Sequence, residues 1–399
     1  MRTMNRPTLN RHSKSANPID RLGESELAEI AAQFDALHDE VFSNLGDRDA
    51  RYIRAVIRFQ RHLTIASRAV LLASRWKPAW VVGTAGLALA KILENMEIGH
   101  NVMHGQWDWM RDPEIHSASW DWDNVSPAAA WKHSHNVVHH TFTNVIGKDH
   151  DVGYELLRID PRQRWKPRHL TQPVSNLLLM ALFEWGVASH DLDVRAVRSG
   201  AKSRAQLQDE LRAIGVKIAR QVAKDYVAFP LLSGRSWRSS LLAAVVANIV
   251  RNVWAHAIIF CGHFPDQAYT FTEEEVVGES RGGWYVRQLI GSVDIEGRPL
   301  FHLLAGNLSF QVEHHLFPDM PSSRYAQIAT RVKEICEQHG LPYNGGRLGR
   351  QWWSVQRSIL RLAFPGGGER PKAPPYVRAD DELAGDLLAE IRLGIPAFP

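Results

Sequence analysis

Residues Trp131–Asn144 read WKHSHNVVHHTFTN and hold His133, His135, His139 and His140 within eight positions. Residues four apart share one face of a helix, so His135 and His139 can aim two imidazoles at one point. His140, the next residue, can turn toward a second point nearby. Working outward, GHNVMH at Gly99–His104 repeats the four-residue spacing in His100 and His104. QVEHHLFP at Gln311–Pro318 repeats the adjacent pair in His314 and His315. One HxxxH arises readily by chance in a chain with 19 histidines; three separated clusters, two with adjacent histidines, do not. The spacings suit two metal ions rather than one. Imidazole suits zinc, copper, iron and nickel alike, whereas a structural zinc site takes four ligands and usually cysteine. The chain offers more histidine than one ion can use.

In this order and with this spread, the three clusters resemble the histidine boxes of the integral-membrane fatty acid desaturases. The flanking words fit too: SFQVEHHLFPDMPSSR, and ENMEIGHNVMHGQWDWMRDPEIHSASWDWD. The resemblance runs from about Asp47 to Pro342 and is strongest to bacterial acyl-CoA desaturases of the stearoyl-CoA Δ9 type. It implies two non-haem iron ions, O2 as co-substrate and an outside source of two electrons. The product would be a cis double bond in a long-chain acyl-CoA. The ligands implied are His100, His104, His135, His139, His140, His314 and His315, completed by a histidine at the end of a membrane span. His263, in CGHFPD, is the choice for that place, because the Phe-Pro that follows ends its helix. His256, two turns earlier, is the less favoured candidate and is expected to be buried and hydrogen-bonded.

Metal-bound histidines usually donate their second N–H to a carboxylate or carbonyl. Glu97, Asp108, Asp112, Gln311 and Glu313 are the candidates for that supporting layer. The Trp- and Asp-rich stretch Gly105–Asp123 would otherwise be a loop with its indoles at a membrane interface.

A net charge of +4 is compatible with an anionic membrane surface or a phosphate-bearing substrate; membrane lipid and no nucleic acid are the expected partners, and two cysteines, Cys261 and Cys336, make no disulfide framework. A mean hydropathy of −0.26 does not announce a membrane protein. No uncharged run reaches the usual length of a spanning helix. The resemblance decides for an all-α, membrane-embedded bundle, with about four spans in two hairpins near Ile53–Ser74, Pro78–Ile98, Val174–Leu192 and Leu241–Phe264. An even number of spans returns every histidine cluster to one side. A cytosolic helical cap would carry the di-iron site, and the cell inner membrane is the expected location. Ser25 reads as the cap of an amphipathic packing helix with Leu27, Ile30, Phe34, Leu37 and Val41 on one stripe. Ser203–Val227 reads as an amphipathic helix of the cap. Residues 1–22 read as a disordered basic tail, 23–364 as the desaturase domain, and 365–399 as a Pro/Gly linker and tail with a short helix near 380–391.

Two features depart from relatives within the family. Eukaryotic stearoyl-CoA enzymes have a longer first box and a histidine where Gln311 stands. Desaturases with an initial Gln in the third box often carry a fused cytochrome b5 domain, whose HPGG haem motif is missing here. Electrons are therefore expected from a separate flavin or iron–sulfur reductase fed by NADPH. A related di-iron hydroxylase or ketolase acting on an alkyl, sterol or carotenoid substrate is the second reading. A non-enzymatic metal carrier is the third, disfavoured because the histidines gather at span ends rather than along a path.

Overall fold

The computed structural model describes residues 17–379, apart from 191 and 193. The expected helix near 380–391 and most of the basic tail lie outside the described residues; Pro18–Arg21 forms a 3-10 turn. Nearly all regular structure is helical, with one two-stranded parallel ribbon pairing Asp294–Glu296 with Gly345–Arg347.

One part is a helical cap. Helix Glu24–Ser43 begins one residue before Ser25, with Gly23 as its N-cap. Its stripe of Ile30, Phe34, Leu37 and Val41 is buried, as the periodicity predicts. It packs on Arg281–Gly291, Gln311–Leu316 and Tyr325–Gln338 around one apolar core. Gly282 permits the closest approach, because a Cβ there would meet the Leu27 carbonyl oxygen at 2.0 Å. The Trp-rich stretch folds inward: Trp107 is fully buried beside Tyr52, and Trp122 packs on Trp131.

The other part is a bundle of long helices. Asp47–Leu71 and Lys77–Leu93 form the first hairpin, continued by a π-helical turn at Glu94–His100. The second hairpin differs from expectation. Residues 174–192 do not form one helix; Gln172–Ala181 breaks at Leu182, and Phe183–His190 follows. Ten residues rise only about 15 Å, half a bilayer core. The partner of Trp237–His263 is instead the segment beginning at Arg204–Gln221. It continues through a π turn at Val222–Ala228 and Phe229–Leu232, then folds back along 237–263. Asn248 Nδ2 donates to Tyr226 Oη at 2.8 Å across that hairpin. The 204–221 helix is amphipathic as read, with Leu207, Ile214 and Ile218 partly buried and Leu211 exposed, but it runs into this hairpin rather than into the cap.

Among the described residues, one helix, Gly234–His263, is both long and apolar enough to cross a membrane. Charges that enter the bundle are paired, as buried charges must be. Lys91 Nζ lies 2.7 Å from Asp225, which also holds Arg68 at 2.5 Å, and Arg251 pairs with Glu184. The bundle delivers His100 at the top of one hairpin and His263 at the top of the other.

Candidate metal centre

Eight imidazoles from four separate segments converge. His100, His104, His135 and His314 have ligand nitrogens within 4.8 Å of one another. His139, His263 and His315 form a second such group, and His140 joins His314 and His315 between them. His133, by contrast, is exposed. His135 and His139 are stacked at 5.0 Å yet lead into different groups. The helix that carries them, Lys132–His139, is π-helical; its wider turn changes the register that α-helical spacing would impose, and such turns are frequent at functional sites.

Supporting contacts fix which nitrogen of four of these rings faces inward. His100 Nδ1 lies 3.0 Å from Asn101 Oδ1. His139 Nδ1 lies 3.1 and 3.0 Å from the two oxygens of Asp149. His314 Nδ1 donates to Tyr325 Oη at 3.2 Å, and His315 Nδ1 to Gln288 Oε1 at 3.0 Å. With Nδ1 engaged in each case, Nε2 is left for the centre, the arrangement seen around protein-bound metals. His104, His140 and His314 have buried Nε2 atoms that meet no hydrogen-bond partner among the described residues. Uncompensated buried polar atoms are costly, and a cation shared by converging imidazoles would relieve them. Burial, reinforced by neighbouring imidazoles, holds His104, His140, His314 and His315 well below the ordinary histidine value. All are thus neutral at physiological pH, the form that binds metal.

The carboxylates nearest the first box in sequence lie elsewhere. Asp108 accepts from Ser117, and Asp112 pairs with Arg54. Glu97 is buried and accepts from Tyr52, Ser322 and Asn307, tying three segments together. Glu313 accepts from Tyr343 at 2.9 Å and faces Asp294. Gln311 does reach the cluster, its amide 3.0 Å from His263 Nε2. The second carboxylate that serves the imidazoles is Asp151, 3.5 Å from His135 Nδ1 and 3.4 Å from His139 Nδ1. The one local signal for this pair is KDHD at 148–151, a few residues after the second box; Gln288 and Tyr325 carry none. Asn144, with φ 58°, closes the second box by donating to the carbonyls of Gly291 and Tyr269, at 2.7 and 3.0 Å. His256 sits apart, bonded to Asn176 at 3.1 Å and stacked on Phe260.

Gly262 is needed where Gln311 passes: a Cβ there would come within 2.9 Å of the Gln311 side chain. Gly262→Ala is expected to crowd Gln311 against His263 Nε2, the nitrogen left for the metal, and lower metal affinity roughly tenfold. Helical content should stay unchanged. Chelator competition and circular dichroism check this together; unaltered affinity would show that Gln311 is not held there.

A partly enclosed, largely apolar cavity opens beside the imidazoles, lined by His100, His135 and His263 together with Trp131, Phe183 and Ile259. The sequence profile of the fatty acid desaturase family matches residues 75–347. This chain belongs to the fatty acid desaturase family. It is 45% identical to the NADPH-dependent stearoyl-CoA 9-desaturase of Mycobacterium tuberculosis over 91% of this chain and 87% of the relative. It is 25% identical to the sn-1 linoleoyl-lipid 6-desaturase of Synechocystis, over 74% of this chain and 84% of that one.

Proposed function

We propose that this desaturase introduces a cis double bond into a long-chain acyl-CoA, with stearoyl-CoA and carbon 9 as the favoured substrate and position. It would draw electrons from a separate NADPH-linked flavin or iron–sulfur reductase. The observation that carries the reading is the convergence of eight imidazoles, His135 half-buried and the others buried, beside an apolar cavity. The relative at 45% identity, named for NADPH and stearoyl-CoA, supports the substrate and reductant. The first group, His100, His104, His135 and His314, would hold one iron. His139, His140, His263 and His315 would hold the other, with Gln311 against it. Two irons held this way supply the oxidising power, from O2 and two electrons, that an unactivated methylene requires.

The chain's own part is placement and exclusion of water. Trp131 and Phe183 line an apolar cavity that would receive the alkyl chain beside the imidazoles. Neutral histidines, oriented by Asn101, Asp149, Tyr325 and Gln288, keep the ligand set rigid. The bundle reading is four spans: Asp47–Leu71, the helix from Lys77 to His100, the segment 204–232, and Trp237–His263. Both hairpins then carry their histidines on one side, which would be the cytoplasmic face, where acyl-CoA and NADPH are found.

Purified protein reconstituted with about two irons per chain should be inactive with NADPH and stearoyl-CoA alone. It should turn over when a suitable reductase system is added. Mass spectrometry of the product distinguishes loss of two hydrogens from gain of one oxygen. An oxygenated acyl chain would favour the hydroxylase reading, and turnover without a reductase would refute the proposed electron route.

A further inference from the structure

The chain just after Asp151 follows a backbone path that side chains rarely adopt. Gly153, Tyr154 and Glu155 all have positive φ, at 70°, 52° and 53°. Glycine enters that left-handed region freely. Tyrosine and glutamate enter it at a cost, because Cβ crowds the following carbonyl oxygen. Such residues persist only where their surroundings hold them, and they gather at functional sites. Backbone hydrogen bonds close the turn at both ends: Tyr154 N donates to the Asp151 carbonyl at 3.2 Å, and Leu157 N to the Gly153 carbonyl at 2.8 Å.

Two side chains tie this turn to its surroundings. At its start, one oxygen of Asp151 lies 3.5 Å from His135 Nδ1 and 3.4 Å from His139 Nδ1. Those two rings lead into different imidazole groups, so one carboxylate touches both halves of the centre. In the middle of the turn, the Tyr154 ring stacks on Phe260 at 5.6 Å and meets the edge of Phe183 at 5.3 Å. Asp151, Tyr154 and Phe183 all line the apolar cavity beside the imidazoles. A chain lying in that cavity therefore touches the same turn that carries Asp151.

We propose that Tyr154 is a positioning residue, coupling occupancy of the apolar cavity to the metal centre through this left-handed turn. An alkyl chain packed on the Tyr154 ring holds the turn closed. The closed turn keeps Asp151 on His135 and His139, which leaves Nε2 of both rings for metal. Metal on those rings fixes Asp151 in return, and so sets the wall against which the chain lies. The backbone cost is what makes the turn responsive, since a relaxed turn would stay closed with neither occupant and no ligand could shift it. Coupling between two sites is reciprocal: stearoyl-CoA tightens metal binding by the factor by which metal tightens stearoyl-CoA. The full ligand set is then held best when a chain is in place, which confines oxygen chemistry to an occupied cavity. This inference rests on the acyl-CoA reading given above, but its test needs no turnover.

Cobalt(II) serves as the probe metal, because without iron and a reductase the bound chain is not consumed. Its affinity for the full chain is measured by chelator competition with and without saturating stearoyl-CoA, and stearoyl-CoA binding is measured directly on the same samples. Wild type is expected to bind cobalt about tenfold more tightly with stearoyl-CoA present, a usual size for coupling between sites. Tyr154→Ala should bring that ratio close to one, whereas Tyr154→Phe, which keeps the ring, should preserve it. Glu155→Asn, whose side chain tolerates left-handed backbone better, should raise cobalt affinity without stearoyl-CoA and shrink the ratio. A purely structural role for Tyr154 would lower both affinities and leave the ratio unchanged, and that result would overturn the proposal. A ratio of one in the wild type with stearoyl-CoA bound would overturn it too, while leaving the substrate reading intact. Should Tyr154→Ala lose its helical content by circular dichroism, Glu155→Asn decides, and an unchanged ratio there sinks the proposal. No binding of stearoyl-CoA to the wild type at all would strike the substrate reading first, and this inference with it.

Discussion

His263→Ala is expected to lower bound iron by about one ion per chain and to reduce turnover by roughly 100-fold or more, beyond what loss of a supporting contact alone costs. His263 closes the helix Trp237–His263, is 3% exposed, and has Nε2 within 3.2 Å of His315 Nε2 and 3.0 Å of Gln311. Removing it leaves His139, His140 and His315 for the second ion. His256→Asn is the matched control. His256 lies seven residues back, bonded to Asn176 and belonging to none of the converging groups. That variant should keep its iron and most of its activity, at a stability cost of about 1–3 kcal/mol for a disturbed buried hydrogen bond. Iron analysis and product formation on both variants decide the matter. Should His256→Asn shed iron while His263→Ala retains it, the centre would have to sit two helical turns deeper.

Asp149→Ala is expected to weaken iron binding by about 10–100-fold, the range for losing a carboxylate behind a ligating histidine. Both of its oxygens lie within 3.1 Å of His139 Nδ1. The same carboxylate accepts the backbone N–H groups of Asn144 and Asp151, at 2.8 and 2.9 Å. It therefore shapes the turn after the second box as well as the ring. Asp149→Asn separates the two roles. Its amide oxygen can still accept from His139, but its NH2 then faces the Asn144 N–H. A partial return of affinity in Asp149→Asn, relative to alanine, would identify the histidine contact as the important one. Chelator competition on protein of unchanged helical content measures this directly; wild-type affinity in Asp149→Ala would refute the positioning role.

Much of the centre was legible in the residues. Three histidine clusters, the helix stop at His263 and the Gln at position 311 all carry local signals: spacing, a following Phe-Pro, and a departure from a familiar pattern. The supporting layer was not legible. Proximity in sequence pointed to Asp108 and Asp112, which the fold turns toward Ser117 and Arg54. Gln288 and Tyr325 reach His315 and His314 from helices packed in the cap. Nothing in the words around those two residues distinguishes them from core positions.

The sequence by itself determined the histidines available for a metal centre and the end of the helix that carries His263, through spacing and the steric effect of proline; the all-α class followed from the resemblance those histidines carry. Only the tertiary structure decided how eight imidazoles divide into two groups, because the π-helical turns at Glu94–His100 and Lys132–His139 alter the register that α-helical spacing predicts. It also decided which helix partners Trp237–His263. An apolar stripe reports which side chains share a face but not what that face meets. At 174–182 the exposed leucines and the buried Gln172 and Asn176 invert the usual order, and only the packing of neighbouring helices reveals the inversion.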